Sequence, residues 1–424
     1  MAINNTPYTK KEVSFTGYSL VIAVLCMLTF AVSFVSRNVW AASIASESTL
    51  EALGITATQA GGIASAFYVG YVVSNFFSGF FVDKYGARLI LAATAIGTGV
   101  ATLLIPLASG YWLIIVLRIL AGIFAGPIFS GISKMNYGWF SDKVRASAVG
   151  FMMSGPAVGM AIASIGFTPL VSSHGYKTAF TIAGIVTVIV GIIVLILLKE
   201  KGLAKGGNTR QLTPEDKKKE TTEAVKVFVK KDFIINSIMH FLIVGAGQGL
   251  QTWILAYLVI DKGLSPAVGG LVFGGAALLG LITGVLSGVI SDIFKTRKWL
   301  LIVSSVITFM TFYGYTISSS VTVLTMIAVT NQFSRAFMGT PSNTMQTERA
   351  KGPYAGKVMG WYNALCQLGS VIFPILTGAI LTATGSYTAV MMTLAVSLLL
   401  VGILALFIKD TYVRKQEIAT ETND

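Results

Sequence analysis

The sequence predicts an all-α integral membrane protein of twelve transmembrane helices, arranged as two pseudo-symmetric six-helix halves. Three observations predict this. Of 424 residues, 54% are hydrophobic and 12% are Asp, Glu, Lys or Arg, about half the roughly 25% charged share of soluble domains, which excludes a water-soluble globule. A bilayer core about 30 Å thick takes roughly 20 apolar residues per helix, so about a dozen such runs with short connections use up the chain. Finally, shifting the chain by 210 residues pairs Gly150 with Gly360, Gly159 with Gly369, Gly175 with Gly385, Lys199 with Lys409 and Glu200 with Asp410.

Taken in order, a polar tail, 1–16, carries Lys10 and Lys11 into an apolar stretch too long for a signal-peptide core and without a small-residue cleavage site. That stretch is expected to remain as the first helix. Apolar runs between polar breaks place helices at 17–45, 57–81, 89–108, 111–132, 147–172 and 177–198, and then at 233–260, 266–290, 299–318, 321–342, 356–382 and 387–408. The halves are thus 17–198 and 233–408, joined by a cytoplasmic linker, 199–232, and followed by a tail, 409–424. Within the linker, Thr213-Pro214-Glu215-Asp216 opens a mixed-charge run that reads as a short surface helix, with Val225, Val227 and Phe228 toward lipid.

Charge sets the orientation. With the N-terminus inside, the inner segments hold 26 of the 31 Lys and Arg, and the outer loops hold only Lys177 and Lys262. Basic residues favour the cytoplasmic side, so both termini are expected there, in a multi-pass protein of a bacterial-type plasma membrane. The net charge of +13 is explained by this retention and by contact with the lipid bilayer, without a nucleic-acid partner. No obligate protein partner is evident. The 44 Gly lie within apolar runs, as in closely packed membrane helices. Cys26 and Cys366 also lie in apolar runs with no CxxC pair or metal-ligand cluster, which argues against a disulfide scaffold, a metal site or a cofactor.

Between the second and third helices stands Gly79-Phe80-Phe81-Val82-Asp83-Lys84-Tyr85-Gly86-Ala87-Arg88, with a worn copy at Gly288, Asp292, Lys295, Arg297 and Lys298. It resembles the loop signature of the major facilitator superfamily: Gly, three residues, Asp, a basic residue, one residue, Gly, then two basic residues. Ala87 replaces the first of that final pair. Physically, Gly79 allows close helix approach, Gly86 permits a tight turn, and Asp83 can pair with a helix end or basic residue in one state only. Gly79, Asp83, Gly86, Arg88 and Asp292 are therefore candidate gate residues. The bland alternative, a solvated basic turn, explains neither the Asp nor the repetition.

Arg37, Arg118 and Arg335 stand inside apolar spans, whereas all 18 carboxylates lie in tails, loops or helix ends. A central Arg facing lipid costs about 2.5–3.5 kcal/mol, so the three must face a cavity or partners. They fall on helices one, four and ten, and the resemblance implies that helices one, four, seven and ten line a cavity between halves that rock about a midplane site. An electropositive cavity with guanidinium forks suits a carboxylate or phosphate. Arg118 opens Arg118-x-x-x-Gly122-x-x-x-Gly126, where an Arg serves packing or transport, and Arg335 lies where it could instead snorkel inward.

Arg37-Asn38, Phe67 to Tyr71, Gly126-Pro127, Trp139-Phe140-Ser141 to Arg145, and Tyr362-Asn363 resemble the anion:cation symporter family. That resemblance implies that Arg37 contacts a substrate carboxylate and that Tyr71 and Asn363 line the pocket. Two departures matter: Ser36 stands where the family has Asp, and Ala125 where it has Glu. Without those carboxylates, proton symport lacks its usual titrating group. His240 is the embedded titratable alternative, with helix packing as its other reading; H+ or Na+ remain the candidate coupling ions, beside facilitated diffusion and anion exchange. Tyr68, Gln248, Trp253 and Gln367 complete the candidate binding set, with Gln251, Tyr257, Asn331, Gln332 and Trp361 as further polar or aromatic candidates. Such a mix suits a carboxylate with hydroxyls, or an aromatic acid.

An enzyme would need a convergent acid, base or nucleophile set, and the spans hold no Asp or Glu. The sequence therefore points to a secondary transporter of a small organic anion, such as a sugar acid, by alternating access. The alternatives are an exchanger of organic anions or phosphate esters and a membrane anion sensor that does not transport.

Overall fold

The computed structural model describes residues 17–141, 144–200, 214–350 and 355–412, with backbone alone at 214–220, 356 and 357. The helices are α1 (Tyr18–Ser43), α2 (Glu47–Leu53), α3 (Ala57–Tyr85), α4 (Ala87–Leu104), α5 (Tyr111–Ala125), α6 (Ile128–Trp139), α7 (Arg145–Met152), α8 (Gly155–Ile162) and α9 (Thr168–Leu197). Then come α10 (Pro214–Phe228), α11 (Lys231–Ala256), α12 (Pro266–Ile293), α13 (Lys298–Ile317), α14 (Val321–Arg349), α15 (Ala355–Thr384) and α16 (Tyr387–Leu406). No strand occurs among the described residues.

Ten helical runs among the described residues are long and apolar enough to cross a membrane. One of them, Arg145–Leu197, has 53 residues, which at 1.5 Å per residue would extend about 80 Å, far beyond a core of about 30 Å. It doubles back at Gly175, whose φ of 76° and ψ of 165° are closed to a residue with a Cβ. The more polar α14 adds a further 29-residue helix. Proline sets the irregularities: α5 gives way to α6 at Gly126-Pro127, α8 opens on Gly155-Pro156, and Pro341 and Pro374 lie inside α14 and α15.

The 210-residue repeat extends to specific contacts. The Glu200 carboxylate accepts from the amide of Ala87 at the start of α4. Its repeat mate Asp410 accepts from the amides of Arg297 and Lys298 at 3.0 and 3.1 Å at the start of α13. Arg88 donates to Leu195 O at 2.6 Å, and Lys298 to Leu406 O at 2.9 Å. A carboxylate at a helix N-terminus satisfies otherwise unpaired amides and complements the positive end of the helix dipole. In each half the last helix therefore clasps the start of the third.

The helix ends that carry Tyr18, Leu197 and Leu406 form one face of the bundle, here called the terminal face; the opposite ends form the far face. The halves press together near the far face. A Cβ on Gly61 of α3 would lie 2.1 Å from Pro374 O of α15, and one on Gly378 would lie 2.5 Å from Ala57 O. Thr58 and Thr382 are hydroxyl-bonded at 2.8 Å across the same seam. On the other flank, a Cβ on Gly270 of α12 would lie 2.2 Å from Ser164 O, beyond the end of α8. Glycines at these seams let backbone meet backbone, the close packing that membrane helices use in place of a hydrophobic driving force.

The surface helix expected in the linker is α10, but its apolar side is not turned to lipid as expected. Ala224 and Val227 are buried, and Phe228 packs edge-on against Trp361 at 5.7 Å and at a tilt against Phe233 at 5.3 Å. Protein aromatics cover this face because α10 lies against α11 and α15; of the three residues expected to face lipid, Val225 stays exposed. The tail 1–16, the linker stretch 201–213 and residues 413–424 lie outside the described residues.

Candidate functional site

Arg37 sits two turns from the far end of α1 and projects into a recess between the halves. The recess has a cavity volume of about 20 Å³ in this conformation, room for about one water, and is lined by Arg37, Asn38, Trp40 and Ala41 of α1, Ala64 and Tyr68 of α3, Arg118 of α5, and Gln248, Gln251 and Thr252 of α11. None of the lining residues is a carboxylate.

The guanidinium of Arg37 is held face-on by two rings, with its carbon 4.2 Å from the centroid of Phe34 and 4.7 Å from that of Tyr68. Its Nη2 donates to Gln248 Oε1 at 3.3 Å and to Gln251 Oε1 at 3.4 Å, both longer than the ~2.7–2.9 Å of a guanidinium on a carboxylate. Its Nε is buried with no hydrogen-bond partner. Two neutral amide oxygens thus stand where an anion would satisfy the fork better. Tyr68 OH also donates to Gln248 Oε1, so the aromatic clamp and the amide belong to one network across the halves.

Arg118 lines the same recess, but its fork is already occupied. It is 1% exposed, and it donates to Ile63 O at 3.4 Å, Ser36 O at 3.2 Å and Arg37 O at 3.1 Å. Its guanidinium carbon lies 5.2 Å from the centroid of Phe67. Of the two roles open to it, packing is the one that this geometry supports, because Arg118 fixes the backbone that aims Arg37. Next to it, Ser36 bonds Thr187 Oγ1 at 2.8 Å, so a hydroxyl pair fills the place of the family's carboxylate.

The other candidates spread out from this centre. Tyr71 is half-buried and stacks on Phe67 at 6.5 Å, one turn beyond Tyr68. Trp253 is displaced from the expected pocket: it is fully buried within the second half, its ring meeting Tyr387 at 6.5 Å, because residue 253 turns away from the face of α11 that carries Gln248 and Gln251. Asn363 is exposed on α15, outside the recess lining. Gln367 accepts from Ser370 of its own helix at 3.1 Å. Arg335 lies on α14 with its Nη2 2.9 Å from where a Cβ on Gly247 would be. His240 is half-buried, with Nδ1 3.2 Å from Ser342 Oγ and its ring 5.3 Å from that of Tyr362.

At the terminal face, Asp83 pairs with Lys134 of α6 at 3.1 Å, within its own half, and Lys134 also donates to Val82 O at 2.8 Å. Gly86 takes φ 86° at the turn. Gly79 is exposed, with nothing within 4 Å of a Cβ, so the close approach expected there is absent in this conformation. Asp292 lies 3.5 Å from Arg297, whose fork is taken by Glu348 at 2.9 and 3.0 Å.

The family model of the Major Facilitator Superfamily matches residues 24–374 and, a second time, residues 241–423. The chain belongs to this superfamily. It is therefore a multi-pass membrane transporter and not an enzyme. This major facilitator is 26% identical to the hexuronate transporter of Bacillus subtilis (strain 168), over 94% of this chain and 95% of the relative. It is 26% identical to a probable galactarate/D-glucarate transporter of the same organism, over 97% and 96%. With the D-galactonate transporter of Escherichia coli O6:H1 it shares 28% over 66% and 68%. Among solved structures it resembles a bacterial homologue of the human lysosomal transporter Spinster, described as inward-facing and occupied. The TM-score is 0.76 at 15% identity, covering 92% of this chain and 97% of that one.

Proposed function

We propose that the protein moves a small hydroxylated organic anion of the sugar-acid class across the membrane by alternating access, with Arg37 as its carboxylate anchor. The observation that carries this reading is the state of Arg37: a guanidinium clamped by two rings, met only by long contacts to neutral amides, in a recess without a carboxylate. An incoming carboxylate replaces those amide contacts with shorter charge-assisted ones and frees Gln248 and Gln251 to bind hydroxyls. The three relatives, named for hexuronate, galactarate or glucarate, and galactonate, support the same class.

The seam at the far face is the closed gate in this reading, and the terminal face, which carries the basic excess, is the cytoplasmic side of a bacterial-type plasma membrane. The units that rock are the two halves, 17–198 and 233–408, each crossing six times. Asp83, held by Lys134 within its half, is a latch in its released position. Exchange of one anion for another is a second reading, favoured by Ser36 and Ala125, which leave no carboxylate beside Arg37 to carry a proton. His240 is then the remaining group for H+ coupling.

Calorimetric titration of the purified protein tests the binding claim. Galacturonate, gluconate and their neutral parent sugars are the ligands. Binding of the acids and at least tenfold weaker binding of the sugars is expected; equal affinity for acid and sugar contradicts an anion anchor.

A further inference from the structure

Arg335 carries five N–H donors and makes no hydrogen bond or ion pair with any described residue, the Tyr315 phenol being the titratable group that acts on it. It is half-buried on α14, about 21 Å from that helix's far end at 1.5 Å per residue, deep within the span. Its Nη2 occupies the room left by the missing side chain of Gly247: a Cβ there would lie 2.9 Å away, and that guanidinium is the only group within 4 Å. Gly247 precedes Gln248, whose amide oxygen meets Arg37. Adjacent Cα atoms are about 3.8 Å apart and their side chains diverge by about 100° around the helix. Arg37 from the first half and Arg335 from the second therefore address one stretch of α11 from two sides.

Their states differ from that of Arg118 in a way that bears on the ligand. Arg118 has spent its fork on three carbonyls, whereas Arg37 has weak substitutes and Arg335 has none. No Asp or Glu lies within the spans to balance them. A monocarboxylate satisfies one fork and leaves the other unpaired in a region of low dielectric, where an unpaired charge is costly.

We propose that the substrate is a short dicarboxylate, one carboxylate on Arg37 and the other on Arg335, with Gly247 conserving the space in which Arg335 reaches it. This rests on the transport reading above and narrows its substrate class. The helices bearing the two forks belong to opposite halves, so a diacid also bridges the units that must move together.

Galactarate and galactonate, six-carbon acids that differ in the second carboxylate, are titrated into the purified full-length protein by calorimetry. The wild type is expected to bind galactarate at least tenfold more tightly. Arg335→Gln is expected to weaken galactarate ten- to hundredfold and galactonate far less, because a charge-assisted pair is lost only with the diacid. Gly247→Ala keeps the charge and the fold, since only the flexible end of Arg335 must shift, and is expected to lower the diacid preference in the same direction. A wild type that binds galactonate as well as or better than galactarate overturns this assignment alone, as does an Arg335→Gln variant that weakens both acids equally. Failure to bind either acid removes the transport reading with it.

Discussion

Gly61→Ala is expected to open the far gate. The Cβ it introduces would lie 2.1 Å from Pro374 O and 2.9 Å from Pro374 C. Both are backbone atoms of α15, so no side chain can swing aside, and the two helices must separate by about 1 Å to regain van der Waals contact. Overpacking of this kind costs about 1–3 kcal/mol. Because α3 and α15 belong to opposite halves, the cost falls only on the conformation in which the far seam is closed. At 1.4 kcal/mol per tenfold, the equilibrium moves away from the closed state by about 5- to 150-fold. Spin labels on cysteines at Ala52 and Ser319, exposed positions on far-face segments of the two halves, report the separation by pulsed electron resonance; Cys26 and Cys366 are buried and stay silent. Wild type gives one short distance, and the variant adds a longer population with a reduced transport rate. Gly122→Ala is the control. Its Cβ would lie 1.9 Å from Phe67 O, a contact between α5 and α3 within one half, so it lowers thermal stability without shifting the distances. An unchanged distance distribution in Gly61→Ala, with an unchanged rate, would refute the gating assignment.

Arg37→Lys retains charge but not the planar fork, and carboxylate affinity is expected to fall ten- to 150-fold, about 1.5–3 kcal/mol; calorimetry that finds normal affinity removes the anchor. Burial raises the Asp410 pKa, but hydrogen bonds from the Tyr412 amide, the Thr296 hydroxyl and the Lys298 and Arg297 amides outweigh it and hold the carboxyl below its ordinary value. Its contribution is therefore full above the unfolded carboxylate's pKa near 4 and lost as pH falls through the lower folded value. Asp410→Asn is expected to cost about 1 kcal/mol at pH 7, with the difference from wild type shrinking on acidification below about pH 4; a pH-independent difference in melting temperature would contradict the clasp. His240→Ala is expected to leave exchange intact, and loss of accumulation driven by a pH gradient alone would identify His240 as the proton carrier.

The helices were legible because hydrophobic runs of membrane length have few alternatives in lipid, where every backbone amide must be satisfied within the segment. The repeat was legible down to Glu200 and Asp410, although their role as caps required seeing α4 and α13 begin beside them. Arg37, Tyr68, Gln248 and Gln251 stood out as polar groups in apolar runs, and the structure gathers them into one recess. Trp253 stood out for the same reason, yet it packs into the core, since composition does not reveal which side of α11 a ring faces. Arg118 was ambiguous because its partners are carbonyls, which every residue has. The seam glycines were hidden by abundance: among 44 glycines, only coordinates show that Gly61 and Gly378 meet backbone of the opposite half. Val227 and Phe228 were misplaced because an amphipathic face fits lipid and protein aromatics equally well.

The central claim is that this chain carries an organic anion by alternating access, and counterflow with purified protein in liposomes tests it most directly. Vesicles loaded with unlabelled galactarate or galacturonate are diluted into trace labelled acid, without ion gradients. The account predicts transient accumulation of label in wild-type vesicles and its collapse in Arg37→Lys and Gly61→Ala. Vesicles that bind these acids yet show no counterflow would contradict it, and would leave a membrane anion sensor in its place.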